Sequence, residues 1–238
     1  MALIIKVAFT VVMGSIVLAQ GKPSPDAIAA LKESLAANQA KLRSYSWVET
    51  TQVTMKGEVK KQEQKQCYYG ADGKIQKTPL PGAPTAPQPQ KQSGGGGRGG
   101  RLKERIVENK VDALKDYLEQ VVALVHQYVP PDAQKIQAAQ AAGNLSTQPS
   151  GSTLNLSVKN YLKAGDQLAI GLDTSAQVLT SYGVQSFVEK PKEDDVKLAV
   201  TFGRLQDGTS YPQQILLDVS AKSIQVKVTN SGHKKSGA

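Results

Sequence analysis

The chain has 238 residues, a formal charge of +9, 39% hydrophobic residues and 5% aromatic residues. That is enough chain for one large β-rich domain or two small ones, around a core with few aromatic rings. Its one cysteine, Cys67, excludes an internal disulfide, and basic residues spread along the chain read first as a solvated basic face and only weakly as a preference for anionic surfaces such as lipid headgroups or nucleic acid.

Met1 to Ala19 carries one charge, Lys6, followed by an apolar run from Val7 to Leu18. Val17 and Ala19 supply the permissive residues of a signal-peptidase site. Gly21, Pro23 and Pro25 follow at once, and the run is short for a spanning helix. Residues 1–19 therefore read as a secretory signal peptide, with an uncleaved anchor as the other reading. The mature chain is expected to start near Gln20 and to lie outside the cytoplasm, in the periplasm or secreted.

Ser24-Pro25-Asp26 reads as a helix start, because the serine caps, the proline suits the first turn and the aspartate suits the positive helix end. Ile28, Leu31, Leu35 and Leu42 form its apolar stripe, and it is expected to run to about Arg43. From Tyr45 to Lys56 the period changes to two, with Tyr45, Trp47, Val53 and Met55 on one face. Glu58 to Tyr69 is a second strand with polar residues on both faces, which reads as exposed or at a sheet edge. Ala71-Asp72-Gly73-Lys74 is a hairpin turn signal, and a third strand begins there. The Pro/Gln/Gly-rich stretch 79–101 reads as a flexible insertion.

Leu102 to Tyr128 carries the clearest helical pattern. Val107, Val111, Leu114, Leu118, Val121 and Val125 repeat at spacings of four and three, which reads as docking on a sheet, with a coiled-coil seam as the other reading. Pro130-Pro131 stops this helix, Asp132 caps a short second one ending at Gly143-Asn144, and Leu145 to Ser152 reads as a polar connection. Thr153 to Asn230 then reads as an antiparallel meander, in which Val196, Leu198, Val200 and Phe202 alternate with Lys197, Ala199 and Thr201. Ser231 to Ala238 reads as a frayed basic tail.

Catalytic and metal constellations are not found. His126 falls on a helix surface and His233 in the tail, so neither reads as a held imidazole beside a nucleophile. Glu193-Asp194-Asp195 lacks the ligand spacing of a calcium loop, and Gly94 to Gly100 lacks the Lys-Ser/Thr of a phosphate loop. Cys67, in the strand-like Gln66-Cys-Tyr-Tyr69, reads as buried packing, with a reactive thiol as the other reading. The expectation is a non-enzymatic protein with no cofactor, no metal and no nucleic-acid partner.

The order of elements resembles a known family. A leader precedes a helix ending in Leu42-Arg43-Ser44-Tyr45-Ser46, then come polar strands with the turn Gly70-Ala-Asp-Gly73, a helical insertion and a late meander closing through Asp207-Gly-Thr-Ser-Tyr-Pro212. This layout is similar to the periplasmic lipoprotein carriers of the LolA/LolB type. The resemblance implies an incomplete β-barrel whose helices cover an apolar concavity that holds acyl chains.

The residues and the resemblance agree on an α+β fold, a curved antiparallel sheet of about eight or nine strands with helices over its concave apolar face, and the resemblance implies that the sheet is an incomplete barrel. Residues 20–238 are expected to form one domain interrupted by the insertion. Trp47, Met55, Leu114, Leu118, Leu198, Val200, Phe202, Ile215 and Leu217 are the candidates to line an apolar pocket, with packed core as the favoured reading for each. Two functions follow. One is an exported protein that carries or senses a lipid or lipidated chain and meets membrane surfaces. The other is a structural envelope protein with a filled core that contacts another protein.

Overall fold

A computed structural model describes residue 34 and residues 36–80 and 98–235, with the backbone alone for residues 98–111. The leader at 1–19, the helix start at Ser24, the stripe residues Ile28, Leu31 and Leu35, and residues 81–97 of the insertion lie outside the described residues.

Ten strands follow in chain order: β1 (Tyr45–Met55), β2 (Glu58–Tyr69), β3 (Ile75–Pro79), β4 (Leu145–Ser150), β5 (Thr153–Lys159), β6 (Gln167–Asp173), β7 (Val178–Phe187), β8 (Asp195–Arg204), β9 (Ser210–Val219) and β10 (Ile224–Lys235). They form one antiparallel sheet in the order β3-β2-β1-β10-β9-β8-β7-β6-β5-β4. Strands β3 and β4 are its two edges, with no further strand paired to either among the described residues, so the sheet is open and not a closed barrel. Two helices, α1 (Arg98–His126) and α2 (Ala133–Ala141), join the two halves, and a helical segment at 36–42 precedes β1. The architecture is α+β, as the patterning predicts.

The alternation along the strands selects the inner face. In β8, Val196, Leu198 and Val200 are buried while Lys197, Ala199 and Thr201 are exposed. Pairing extends these positions into rows. One row runs Val184, Leu198, Leu217, Val226, Val53 across β7, β8, β9, β10 and β1. Full burial of each such aliphatic side chain contributes roughly 1.5–3 kcal/mol. Helix α1 covers this face with Val121, Leu124 and Val125, and Leu114 and Leu118 pack partly buried against the same core. The described part of its apolar seam is therefore docked; Val107 and Val111 lie outside the described side chains.

A buried polar knot fastens the end of α1. Tyr128, just past the helix, donates its hydroxyl to Asp166 Oδ2 at 2.5 Å and lies 2.8 Å from Ser186 Oγ. The Asp166 carboxylate also accepts from the backbone N–H groups of Tyr161, Leu162 and Lys163. The Tyr182 hydroxyl donates to the Tyr128 carbonyl. Burial and the neighbouring carboxylate push the Tyr128 hydroxyl well above the usual tyrosine range.

Four expectations change. Leu145 to Ser150 is an edge strand, not a connection, and it pairs with β5 along its length. Pro149 fits there because an edge strand needs no inward N–H at every position. The supposed tail continues β10 to Lys235, paired with Tyr45 and Ser46, with a register shift absorbing Gly232 at φ 62°. Strand β2 is not an edge, since it pairs with both β1 and β3. Helix α1 begins at Arg98, inside the stretch expected to be flexible.

Candidate functional site

The inner face is not filled throughout. A cavity of about 700 Å³ lies over β1, β10, β9 and β8, within the roughly 300–1,000 Å³ of ordinary ligand pockets. The end of α1 borders it with Val122, Val125 and His126, and the 36–42 segment with Asn38, Gln39 and Leu42. Asn38 fixes that segment: its Nδ2 donates to the Ser210 carbonyl at 2.9 Å and its Oδ1 accepts from the Ser210 N–H at 2.7 Å.

The cavity has unlike walls because of how the strand rows end. From β8 to β10 its floor is Leu198, Phe202, Ile215, Leu217, Val226 and Val228. Across β1 the rows turn polar. Val228 sits opposite Thr51, which sits opposite Glu63, and Asn230 sits opposite Glu49, which sits opposite Lys65. On β3, Lys77 Nζ lies 2.6 Å from both Glu49 carboxylate oxygens. Glu63 pairs with Lys65 at 2.9 Å and with Lys61 at 2.8 Å. Cys67 is fully buried in this wall; burial and the Glu49 carboxylate push its thiol up to about 11. Cys67 is therefore expected to react with iodoacetamide on the order of a hundredfold more slowly in the native protein than in urea. Thiol mass labelling at matched pH checks this.

An aromatic cluster stands where the walls meet. Trp47 Nε1 donates to Asn230 Oδ1 at 3.1 Å, and Asn230 Nδ2 donates to the Pro212 carbonyl at 2.7 Å. The His233 ring is stacked on Trp47 at 6.0 Å and lies 4.0 Å from the Tyr211 ring. His233 is thus a held residue on a strand, which its Ser-Gly-His-Lys-Lys context conceals. Burial pulls its pKa down to about 4 from the model-compound value of 6.5. The unfolded chain then binds a proton that the folded chain resists. Stability is fully present above the unfolded value and falls as the pH drops from about 6.5 to about 4. The ring is only half buried, so screening leaves about 1–2 kcal/mol of this linkage. Urea midpoints at pH 7 and pH 4.5 are expected to differ less in His233→Phe than in the parent protein.

Of the nine candidate lining residues, Trp47, Leu198, Phe202, Ile215 and Leu217 border the cavity. Met55, Leu114, Leu118 and Val200 do not. Val200 is 1% exposed within the packed core, and the other three are partly buried against that core. Period two assigns a residue to a face but not to a place along it. The charged wall of Glu49, Glu63, Lys65 and Lys77 was not among the candidates. Its only sequence signal is that these residues share the inward parity of Trp47 and Cys67 on paired strands.

No known family model matches the sequence, and no curated protein matches it. Two crystal structures overlap at 10% identity. One is a DUF1329 family protein from Desulfovibrio piger, with a TM-score of 0.38 over 88% of this chain and 93% of that one. The other is a LolA superfamily protein from Nitrosomonas europaea, with a TM-score of 0.35 over 85% of this chain and 92% of that one. Neither likeness assigns the chain to a family.

Proposed function

We propose that the protein is an exported, non-enzymatic binding protein that carries or senses an apolar ligand, a lipid or a lipidated chain, between sheet and helices. One observation carries this reading: Leu198, Phe202, Ile215, Leu217, Val226 and Val228 border a cavity of about 700 Å³ between the sheet and the helices. An apolar ligand gains by moving its own surface out of water into that space. The leader-like pattern of Met1 to Ala19 supports export, and among the described residues no helix is long and apolar enough to cross a membrane. Basic residues at the rim suit an encounter with anionic membrane surfaces.

The test uses detergent-free protein from its native host. Solvent extraction and mass spectrometry are expected to recover a stoichiometric lipid. The emptied protein is expected to bind the uncharged probe N-phenyl-1-naphthylamine at one site. Terminal sequencing is expected to find Gln20 first. No extracted lipid together with no probe binding would remove the proposal. A second reading, docking of another envelope protein, is favoured by one feature. Among the described residues the sheet ends in β3 and β4 as its edges, and Val59 and Tyr68 on β2, next to β3, are exposed.

A further inference from the structure

The cavity's charge is unbalanced, and the imbalance lies at one end. Among the described residues four cations border it, Arg43, Lys65, Lys74 and Lys77, against two carboxylates, Glu49 and Glu63. Both carboxylates are already engaged by lysines, Glu49 by Lys77 and Glu63 by Lys65 and Lys61. The surplus is therefore Arg43 and Lys74. Both are exposed at the rim, where the 36–42 segment meets the β2–β3 hairpin. Among the described residues the Lys74 ammonium has one carboxylate in ion-pair range, the exposed Asp72 at 3.8 Å. Among the described residues Arg43 has no carboxylate in ion-pair range, and its guanidinium is close enough to Tyr69 to oppose the burial that raises the tyrosine's pKa. Gly73, at φ 71°, faces Arg43: a side chain there would meet the guanidinium at 3.8 Å, and glycine leaves that space open.

An apolar floor at one end, and at the other an arginine with no carboxylate in ion-pair range beside a loosely paired lysine, describe an amphiphile by its negative. We propose that the ligand is a long-chain amphiphile with an anionic head, a carboxylate or a phosphate monoester, whose tail lies on the β8–β10 floor and whose head sits at Arg43 and Lys74. This rests on the binding function proposed above and adds the ligand's polarity and orientation. The planar fork of Arg43 suits a bidentate contact with either head, and Lys74 adds a point charge. A cationic or zwitterionic head would place positive charge beside these two groups, and an alcohol would leave them uncompensated.

The experiment displaces N-phenyl-1-naphthylamine from the emptied protein with four amphiphiles of matched chain length. These are a fatty acid, a lysophosphatidate, a lysophosphatidylcholine and a fatty alcohol. The two anions are expected to displace the probe at concentrations at least tenfold below the alcohol and the choline lipid. That ratio is expected to shrink with added salt. In the double variant Arg43→Gln, Lys74→Gln the ratio of anion to alcohol is expected to fall below threefold. Whichever anion displaces better identifies the head. If the probe binds but anion and alcohol agree within twofold, the headgroup assignment is wrong and the binding function stands. An anion preference that survives the double variant also sinks it, because the charge would then be read elsewhere. If the probe does not bind at all, both proposals fall together.

Discussion

Replacing Asp166 by alanine is expected to lower the unfolding free energy by about 3 kcal/mol, the largest loss expected of any single change outside the aliphatic core. Asp166 is 2% exposed and accepts from four donors: the Tyr128 hydroxyl and the N–H groups of Tyr161, Leu162 and Lys163. Removing the carboxylate strands the three N–H groups and takes one of two partners from the Tyr128 hydroxyl. The turn between β5 and β6 loses the group around which it is wound, and the Tyr128 hydroxyl, itself in a fully buried side chain, keeps only Ser186. Each buried donor left without a partner costs roughly 1–3 kcal/mol before relaxation and water entry reduce the sum. Tyr128→Phe removes one donor and leaves the turn intact, so about 1 kcal/mol is expected. Urea unfolding followed by tyrosine and tryptophan fluorescence measures both. An Asp166→Ala loss below 1 kcal/mol would mean that the turn holds without its carboxylate.

The same knot explains why α1 docks with its C-terminal end and why that was readable. Val121 and Val125 recur at helical spacing and point where the sheet's own alternation points, so two independent periods agree on one interior. The strands that escaped notice lack this agreement. In β4, Leu145-Ser-Thr-Gln-Pro-Ser150 shows neither alternation nor β-branched enrichment, because an edge strand at the sheet's rim needs little of either. The end of β10 is concealed by Ser231 and Gly232, which read as a frayed terminus yet form the bulge that carries His233 under Trp47. The charged wall is the deeper case. On β2 inward and outward positions are both polar, since the inward ones face a cavity rather than a core. Period two then loses its contrast, although the residues keep their faces. A strand that is polar on both sides reads as exposed unless its partners are known, and the partners here, Glu49 with Lys65 and Cys67 with Lys77, emerge only from the register.

Filling the cavity separates the two functions through opposite signs. Thr51 lies midway along β1, opposite Val228 on one side and Glu63 on the other, and its side chain borders the cavity. Tryptophan at this position projects over the aliphatic floor and suits a strand. If the space is vacant for a ligand, Thr51→Trp buries its ring against Ile215 and Val228 and the ligand-free protein gains about 0.5–2 kcal/mol, as cavity-filling changes do. Probe binding then weakens at least tenfold, a loss of about 1.4 kcal/mol, because the new ring occupies the tail's place. If the space is filled in the native protein by its own residues, the same substitution overpacks a finished core. It then destabilises by roughly 1–3 kcal/mol and leaves no binding to lose. Val228→Phe, which enlarges the floor from β10, is expected to repeat the result from a second strand with a smaller effect on both readouts. Stability rising while uptake falls, in both variants, is the signature of a binding cavity; stability falling in both leaves the filled-core envelope protein as the correct description.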